Sequence, residues 1–349
     1  AVMIEVAVAA PSVLAARAAG AVAAHGGGAV DAGLAAAIAA MFTEIGVAAP
    51  GAGAFVTVAE FDREPVVHDG YMAVPGLHGS QPEPTSIRAE MAYGGGLTTM
   101  VGPASVAVPG AWAAFDRVHA SHGRIDFGNL VQPTIEILEE GFTLGGSCLY
   151  YLGDSGEAVF GHDPASRAVL HPGGSLVTPS HAVHMPDAIT TLGTLAEEGP
   201  MALLAGRLGG RIAEDLWRRG SLLGPADFTS YRDLERQPLV HTVGDWDLFT
   251  NPPPAVGGAG LIALLAGLEQ ADPAAFLEAQ EQLFRWRRGP LHDAVDRFAE
   301  INEFLRELPG DPIRSPSTVH VSAVDSEGLA CAITLSAGYG SGVIPSGTG

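Results

Sequence analysis

The stretch that most constrains the fold is residues 318–325, near the C-terminal end of the sequence. It reads Thr-Val-His-Val-Ser-Ala-Val-Asp, with apolar side chains at every second position. A second alternating run follows at 329–333, and Asp-Ser-Glu-Gly at 325–328 lies between the two. Period-two alternation is typical of strands buried on one face, and Asp and Gly suit a tight turn. The stretch therefore predicts a β-hairpin that lays one face on the core.

The N-terminal part of the chain predicts a strand followed by two alanine-rich helices. The strand is expected at 1–10, and the helices at Ser12–Ala24 and Asp31–Ile45, with Asp31 as the cap of the second. A further strand is expected at Phe55–Val58. Because a strand and not a helix follows the glycine-rich residues before it, a phosphate-binding loop is rejected there.

The middle of the chain predicts mostly helices. Residues 143–187 contain scattered Gly, Pro and His and are expected to be loop-rich. Helices are expected at 111–119, 130–140, twice within 188–219, at 259–270 and at 292–305, and a strand at 240–249.

Composition excludes several classes of protein. The 349 residues include 47% hydrophobic and 16% charged side chains, which is enough for one large or two ordinary packed domains. The net charge of −21 argues against nucleic acid or an anionic membrane as a partner.

Few residues point to a metal, a disulfide or a membrane. Cys148 and Cys331 are the two cysteines, which excludes a disulfide framework, and neither has a second ligand at metal-binding spacing. No long apolar run predicts a membrane span, and no signal peptide is visible. We expect a cytoplasmic location, no metal and no cofactor.

Residues 318–325 resemble the start of the small subunit of gamma-glutamyltranspeptidases, which opens Thr-Thr-His-aromatic-Ser-x-Val-Asp and continues to Gly-Ser/Thr-Gly, here at 340–342. The resemblance implies an α+β fold, a four-layer αββα sandwich of the N-terminal nucleophile (Ntn) hydrolase type, whose precursor cuts itself into large and small subunits. Other matching motifs lie at 26–32 (GGGAVDA), 122–124 (HGR), 141–142 (GF), 251–254 (NPPP) and 310–312 (GDP).

The resemblance also implies the reactive residues. The nucleophile falls on Thr318 and the processed bond on Ser317–Thr318, so that 1–317 forms the large subunit and 318–349 the start of the small one. The family's later small-subunit motifs do not occur in this sequence. Ser336 falls where the family has a second Thr, which hydrogen-bonds the amine and hydroxyl of the nucleophile.

A threonine hydroxyl is a weak nucleophile unless a base lies beside it. An N-terminal Thr supplies that base itself, because its freed α-amine has a pKa near 8. His320 lies two residues further along the same strand, and we expect it to orient neighbouring groups and not to transfer the proton.

Two positions depart from the family's glutamate-recognition residues. The Arg that binds the substrate's α-carboxylate is replaced by Tyr71, and an Asn that holds the glutamyl group is replaced by Gly338, with a shorter loop to Tyr339. Loss of a charged donor weakens carboxylate recognition. We therefore expect an acyl group other than gamma-glutamyl, with Tyr71, His320, Gly338 and Tyr339 in the substrate pocket. Arg88, in a predicted loop, is an alternative source of the guanidinium.

Three interpretations remain open on these residues. The first is a self-processing acylase or amidohydrolase that acts on a small-molecule amide or acyl substrate. The second is a biosynthetic relative that hydrolyses a carbon–carbon bond next to a carbonyl with the same Thr. The third is a relative that binds without cleaving. The expected partners are the two subunits of one precursor, and a dimer of such heterodimers is left open.

Overall fold

The computed structural model describes residues 4–268, 273–307 and 318–349 of the chain. The strands are β1 (Val6–Ala9), β2 (Gly53–Ala59), β3 (Val66–Gly70), β4 (Ile87–Met91), β5 (Leu97–Val101), β6 (Leu234–Arg236), β7 (Leu239–Val243), β8 (Trp246–Thr250), β9 (Val319–Asp325) and β10 (Ala330–Ser336). The α-helices are α1 (Val13–Ala24), α2 (Ala29–Thr43), α3 (Ala111–His122), α4 (Phe127–Glu140), α5 (Gly146–Phe160), α6 (Pro164–Leu170), α7 (Pro186–Glu198), α8 (Arg207–Arg218), α9 (Pro225–Ser230), α10 (Val256–Leu268), α11 (Pro273–Arg288), α12 (Pro290–Asp293) and α13 (Arg297–Glu307).

A six-stranded sheet organises the larger of two compact units, which comprises residues 1–62, 68–234 and 316–349. The strand order is β1-β9-β10-β2-β3-β6. The predicted hairpin is present as β9 and β10, which pair antiparallel with Ala323 opposite Cys331. β9 also pairs antiparallel with β1, and β10 with β2. The hairpin therefore lies inside the sheet, between strands from the N-terminal part of the chain.

Helices cover one face of this sheet. Every residue of α2 is buried, and α2 packs on β9 and β10 with α1 beside it. Gly33 of α2 lies directly over the hairpin, since a Cβ there would be 3.5 Å from Cys331 Sγ and 3.7 Å from Ala323 Cβ. In β9, buried and exposed residues alternate strictly. The apolar half of the pattern thus packs under α2, and the other half points to the opposite face.

The first turn of α2 differs from the prediction. The helix begins at Ala29, after Gly28, so Asp31 is its third residue and not its cap. The fully buried Asp31 carboxylate accepts the backbone N–H of Gly28 at 2.9 Å and that of Arg124 at 3.1 Å. The prediction was wrong by two residues because a glycine begins the helix while the acid closes its first turn from within.

The expectation of loops at 143–187 was also wrong. That part of the chain contains α5 and α6 and a short segment that leads into α7. α5 buries Cys148, Tyr151, Ser155 and Val159, at helical spacing, but the glycines among them obscured the pattern. One of these, Gly156, packs against Leu176, where a Cβ would be 3.2 Å from Leu176 Cδ1.

Three smaller expectations need correction. The strand expected at 240–249 is a hairpin, since Gly244, with φ of 59°, makes a turn between β7 and β8. The helix expected at 292–305 is two helices, α12 and α13. Arg88 lies on strand β4 and not in a loop, and it is exposed with its Nε 3.4 Å from Glu90.

The smaller unit comprises residues 63–67 and 235–315 and has its own apolar core. Trp286 stacks on Phe304 with ring centroids 3.9 Å apart, and its indole N–H donates to Glu300 at 2.6 Å. Ala259, Leu283 and other apolar side chains complete the cluster. α10 is apolar but short, and within the described ranges no helix has the length and hydropathy needed to cross a bilayer.

Candidate active site

Thr318 lies immediately before the first residue of β9. Ser336 is the last residue of the adjacent strand β10. The register pairs Val319 with Leu335, so continuing it by one residue sets Thr318 opposite Ser336. Both belong to the half of the alternation that faces away from α2, and Thr318 is exposed. Ser336 Oγ accepts the backbone N–H of Gly338 at 3.1 Å. The hairpin thus brings two hydroxyl residues from the ends of adjacent strands to one face. Ser317, the other side of the expected cleavage site, lies outside the described residues.

His320 occupies the same outward face, one alternation beyond Thr318. Its Nδ1 lies 2.8 Å from the hydroxyl of its cross-strand partner Thr334, and its Nε2 lies 3.0 Å from the hydroxyl of Ser322. Surrounding protein atoms that exclude solvent lower the pKa of His320. Both ring nitrogens are therefore engaged by hydroxyls, and Ser322 lies on the side of the ring away from Thr318.

A cavity of about 520 Å³ opens beside Thr318. Its walls come from the loop after α2, the start of α5 and the hairpin strand. The lining residues are Pro11, Glu44, Val47, Tyr93, Gly146, Ser147, Tyr150, Tyr151, Thr318 and Val319. Tyr93, Tyr150 and Tyr151 were missed from the sequence, the last two because their helix was read as a loop. Glu44 was missed too, although an acid at the end of an otherwise apolar helix is a recognisable feature.

Tyr71 follows β3 and lies on the same face as Thr318, separated from it by β10 and β2. Its ring stacks on Phe55, with centroids 5.4 Å apart, and Phe55 is the cross-strand partner of Thr334. Three strand spacings of about 4.8 Å set the backbones of Tyr71 and Thr318 roughly 14 Å apart. Tyr71 is half exposed and does not line the cavity beside Thr318. Its contact with a bound acyl group stays a prediction.

Contacts from three other residues position the loop that carries Tyr71. Tyr231 donates its hydroxyl to the carbonyl of Tyr71 at 2.5 Å. At Gly53, a Cβ would be 2.6 Å from the backbone nitrogen of Met72, so only glycine lets this loop approach β2. Further along the loop, the buried Asp227 carboxylate accepts the N–H groups of Gly76 and Leu77, both at 2.7 Å. The backbone at Tyr71 is thus fixed from both sides.

Gly338 and Tyr339 form the turn after β10. Gly338 has φ of 62°, and the carbonyl of Tyr339 accepts the hydroxyl of Tyr151 at 2.7 Å. Tyr339 lines a second cavity of about 450 Å³, in whose lining no Asp, Glu, His or Arg occurs. The Tyr151–Tyr339 hydrogen bond therefore joins a residue that lines the cavity beside Thr318 to one that lines the second cavity.

The glycines of the 340–342 motif have a steric role. Gly342 has φ of 69°, and a Cβ there would be only 1.7 Å from the carbonyl oxygen of Val159 on α5. Any other residue would push the loop off the helix. Within the part of the chain that the structure describes, no group of three or more His, Cys, Asp and Glu side chains is arranged to hold a metal ion.

Two relatives are similar in sequence to about half of this chain. An acylase proenzyme, ACY 1, of Pseudomonas sp. (strain V22) is 31% identical over 173 residues, which is 50% of this chain and 31% of the relative. A glutathione hydrolase 5 proenzyme of Mus musculus is 34% identical over 162 residues, or 46% of this chain and 28% of the relative. The chain thus spans well under half the length of these relatives.

Two solved structures have the same fold. A cephalosporin acylase from Bacillus halodurans superposes with a TM-score of 0.74 at 21% identity, over 99% of this chain and 69% of that one. A gamma-glutamyltranspeptidase from Pseudomonas nitroreducens gives 0.68 at 22% identity, over 88% and 96%. The α+β fold of the Ntn-hydrolase type is thereby confirmed.

A family model matches most of the chain and is consistent with these similarities. The model of the gamma-glutamyltranspeptidase family matches residues 15–308, which include most of α1, all of α2, the Tyr71 loop and most of the smaller unit. The hairpin that carries Thr318 follows this match and completes the sheet at its centre. The chain therefore belongs to the gamma-glutamyltranspeptidase family.

Proposed function

We propose that this chain carries the reactive threonine of a self-processing amide hydrolase or acyltransferase, with Thr318 as the nucleophile. One observation carries the proposal: Thr318 begins the hairpin on the open face of the sheet, in register with Ser336 and beside a cavity. Membership in a family whose relatives are named as hydrolase and acylase proenzymes supports the same reaction class.

The reaction follows from the groups at that position. Once the bond to Ser317 is cut, the α-amine of Thr318 takes the proton of its own hydroxyl as the oxygen attacks the substrate carbonyl. The C–N bond of the substrate breaks, the proton passes to the departing amine, and an acyl ester remains on Thr318. Water or an amine then attacks that ester and restores the hydroxyl.

Self-cleavage uses the same oxygen. Before processing, the Thr318 hydroxyl attacks the carbonyl of Ser317, and the acyl group shifts from nitrogen to oxygen. The shift frees the α-amine, and hydrolysis of the resulting ester then restores the Thr318 hydroxyl and leaves Ser317 with a free carboxylate. In this proposal Ser336, opposite Thr318, hydrogen-bonds this amine or hydroxyl. The ring nitrogens of His320 contact Thr334 and Ser322, which supports an orienting role for His320.

N-terminal sequencing of the purified protein tests the proposal. We expect two chains in the active preparation, the smaller beginning at Thr318, whose masses add up to that of the uncut chain plus one water molecule. A single uncut chain with full activity would contradict the role of Thr318.

The acyl group accepted by the enzyme is, in our proposal, not gamma-glutamyl. Position 71 holds a tyrosine where the family has the carboxylate-binding arginine. Arg88, the alternative guanidinium, is exposed and lies beside Glu90. We expect gamma-glutamyl p-nitroanilide to be hydrolysed with kcat/KM below about 10² M⁻¹s⁻¹, against roughly 10⁴–10⁸ for ordinary enzyme–substrate pairs. Release of nitroaniline measures this directly, and efficient turnover by the wild type would refute the assignment of specificity.

A pair of variants tests the position of Tyr71. Tyr71→Arg restores a two-pronged donor and should raise gamma-glutamyl hydrolysis, because a guanidinium binds a carboxylate bidentately. Tyr71→Phe keeps the ring stacked on Phe55 but adds no donor, and it should leave that activity at the wild-type level. Equal behaviour of the two variants would show that residue 71 does not face the acyl group.

A further inference from the structure

The cavity beside Thr318 contains a carboxylate that the nucleophile chemistry does not use. Glu44 is 7% exposed and lines the cavity. One hydrogen bond reaches its side chain, from Cys148 Sγ to Oε2 at 3.3 Å. Among residues 4–268, 273–307 and 318–349, no Arg or His forms an ion pair with it. Glu44 is thus a buried acid that opens onto a cavity without a cationic partner in the described chain.

The Glu44 carboxylate lies beside the N-terminal turn of α5. Cys148 is the third residue of α5, so the acid lies against a helix N-terminus, where negative charge is stabilised. Burial, together with the neighbouring Glu44, raises the pKa of the Cys148 thiol, which therefore remains a protonated donor. A helix terminus and one thiol compensate only part of the cost of burying a charge. A cation entering the cavity would supply the rest.

Three tyrosines form the walls around this acid. Tyr93 meets Tyr151 edge to face, with ring centroids 4.9 Å apart, and Tyr150 at 6.0 Å. Tyr93 and Tyr151 are buried, while Tyr150 is largely exposed at the rim. These rings and the Glu44 carboxylate line one cavity, and aromatic rings together with a carboxylate are the groups that bind an organic cation. A bare metal ion would need several more charged ligands than this cavity offers.

We propose that Glu44 and the three tyrosines bind an organic ammonium group of the substrate beside Thr318. The catalytic meaning of this site rests on the proposed function of Thr318, but the binding itself does not. The substrate would then be an amide whose amine-bearing part carries a permanent or protonated ammonium. The acyl part would lie outside this cavity. The neighbouring cavity, which Tyr339 lines, has no charged side chain in its lining and suits an uncharged acyl group.

Choline and its neutral carbon isostere, 3,3-dimethyl-1-butanol, test the proposal on the purified wild-type protein. The two probes share shape and hydroxyl and differ in charge. We expect choline to bind about tenfold more tightly by isothermal titration calorimetry, the size of effect that a desolvated cation–π site with a carboxylate provides. Equal binding of the two probes, or none at millimolar concentration, would overturn the proposal.

Matched variants assign the effect to the named residues. Glu44→Gln should abolish the preference for choline, whereas Glu214→Gln, an exposed acid on α8 with the same change in net charge, should keep it. Tyr150→Leu should weaken choline binding several-fold and Tyr150→Phe should not. These rim variants decide the question even if Glu44→Gln fails to fold. Retention of the full preference in Glu44→Gln and in Tyr150→Leu would place the cation elsewhere.

The outcome is separable from that of the proposed function. Calorimetry needs no turnover. An uncut or inactive protein that still prefers choline would therefore contradict the role of Thr318 as nucleophile and support the ammonium site. Conversely, a protein cut at Thr318 that ignores choline, but whose activity shifts along the pH axis in Glu44→Gln, would show that Glu44 serves the α-amine of Thr318 instead.

Discussion

Thr318→Ala should yield a single uncut chain with activity lowered by at least about 10⁴-fold, the scale seen when a nucleophile is removed from a catalytic set. Both losses have one cause, because the same oxygen attacks first the carbonyl of Ser317 and then that of the substrate. Intact mass spectrometry reports the cut, and hydrolysis of an acyl p-nitroanilide that the wild type accepts reports the activity.

Two controls make the Thr318 result specific. Thr318→Ser keeps a hydroxyl at the same position and should still be cut. Thr98→Ala removes an exposed hydroxyl on β5 that lines neither cavity, and it should match the wild type in both assays. A cut and active Thr318→Ala protein would mean that another group is the nucleophile.

Asp325→Ala should have the largest effect on stability, lowering the free energy of unfolding by about 3 kcal/mol or more. The Asp325 side chain is 6% exposed and accepts three backbone N–H groups. Oδ1 accepts those of Glu327 and Leu329, at 3.0 and 3.1 Å, and Oδ2 accepts that of Ala29 at 3.0 Å. Truncation leaves the turn of the hairpin and the first residue of α2 without their acceptor.

Urea unfolding in the uncleaved Thr318→Ala background measures this loss. Asp325→Asn should fall between the wild type and the alanine variant, since its amide oxygen can still serve one set of donors. Asp62→Ala, at an exposed position, should change stability by no more than about 0.5 kcal/mol. If Asp325→Ala were as stable as Asp62→Ala, the turn would not depend on this carboxylate.

The hairpin could be read from the sequence because its pattern is local. Strict alternation over seven residues leaves one face for the core, and a four-residue turn then sets which residues of the two strands oppose each other. Thr318 and Ser336 meet for that reason. Helix α5 was missed because its glycines interrupt the apolar pattern, although one of them, Gly156, packs closely against Leu176.

The cavity beside Thr318 could not be read in the same way. Glu44, Tyr93 and Tyr150 come from three separate segments, and only tertiary packing brings them to one wall. The bond from Ala29 to Asp325 joins residues 296 positions apart, with no pattern in either segment that announces the other. Long-range polar contacts depend on exact backbone placement, which single-sequence periodicity does not contain.

The central position of β9 and β10 affects how irreversibly the protein loses its folded state once it has been cut. If the chain is cut at Thr318, the new piece remains held between β1 on one side and β2 on the other. Once such a protein unfolds, its fragments diffuse apart, and recovery becomes a bimolecular search that slows with dilution. Before the cut, the protein is a single chain that can unfold and refold reversibly. Afterwards, each molecule's lifetime is governed by its unfolding rate alone.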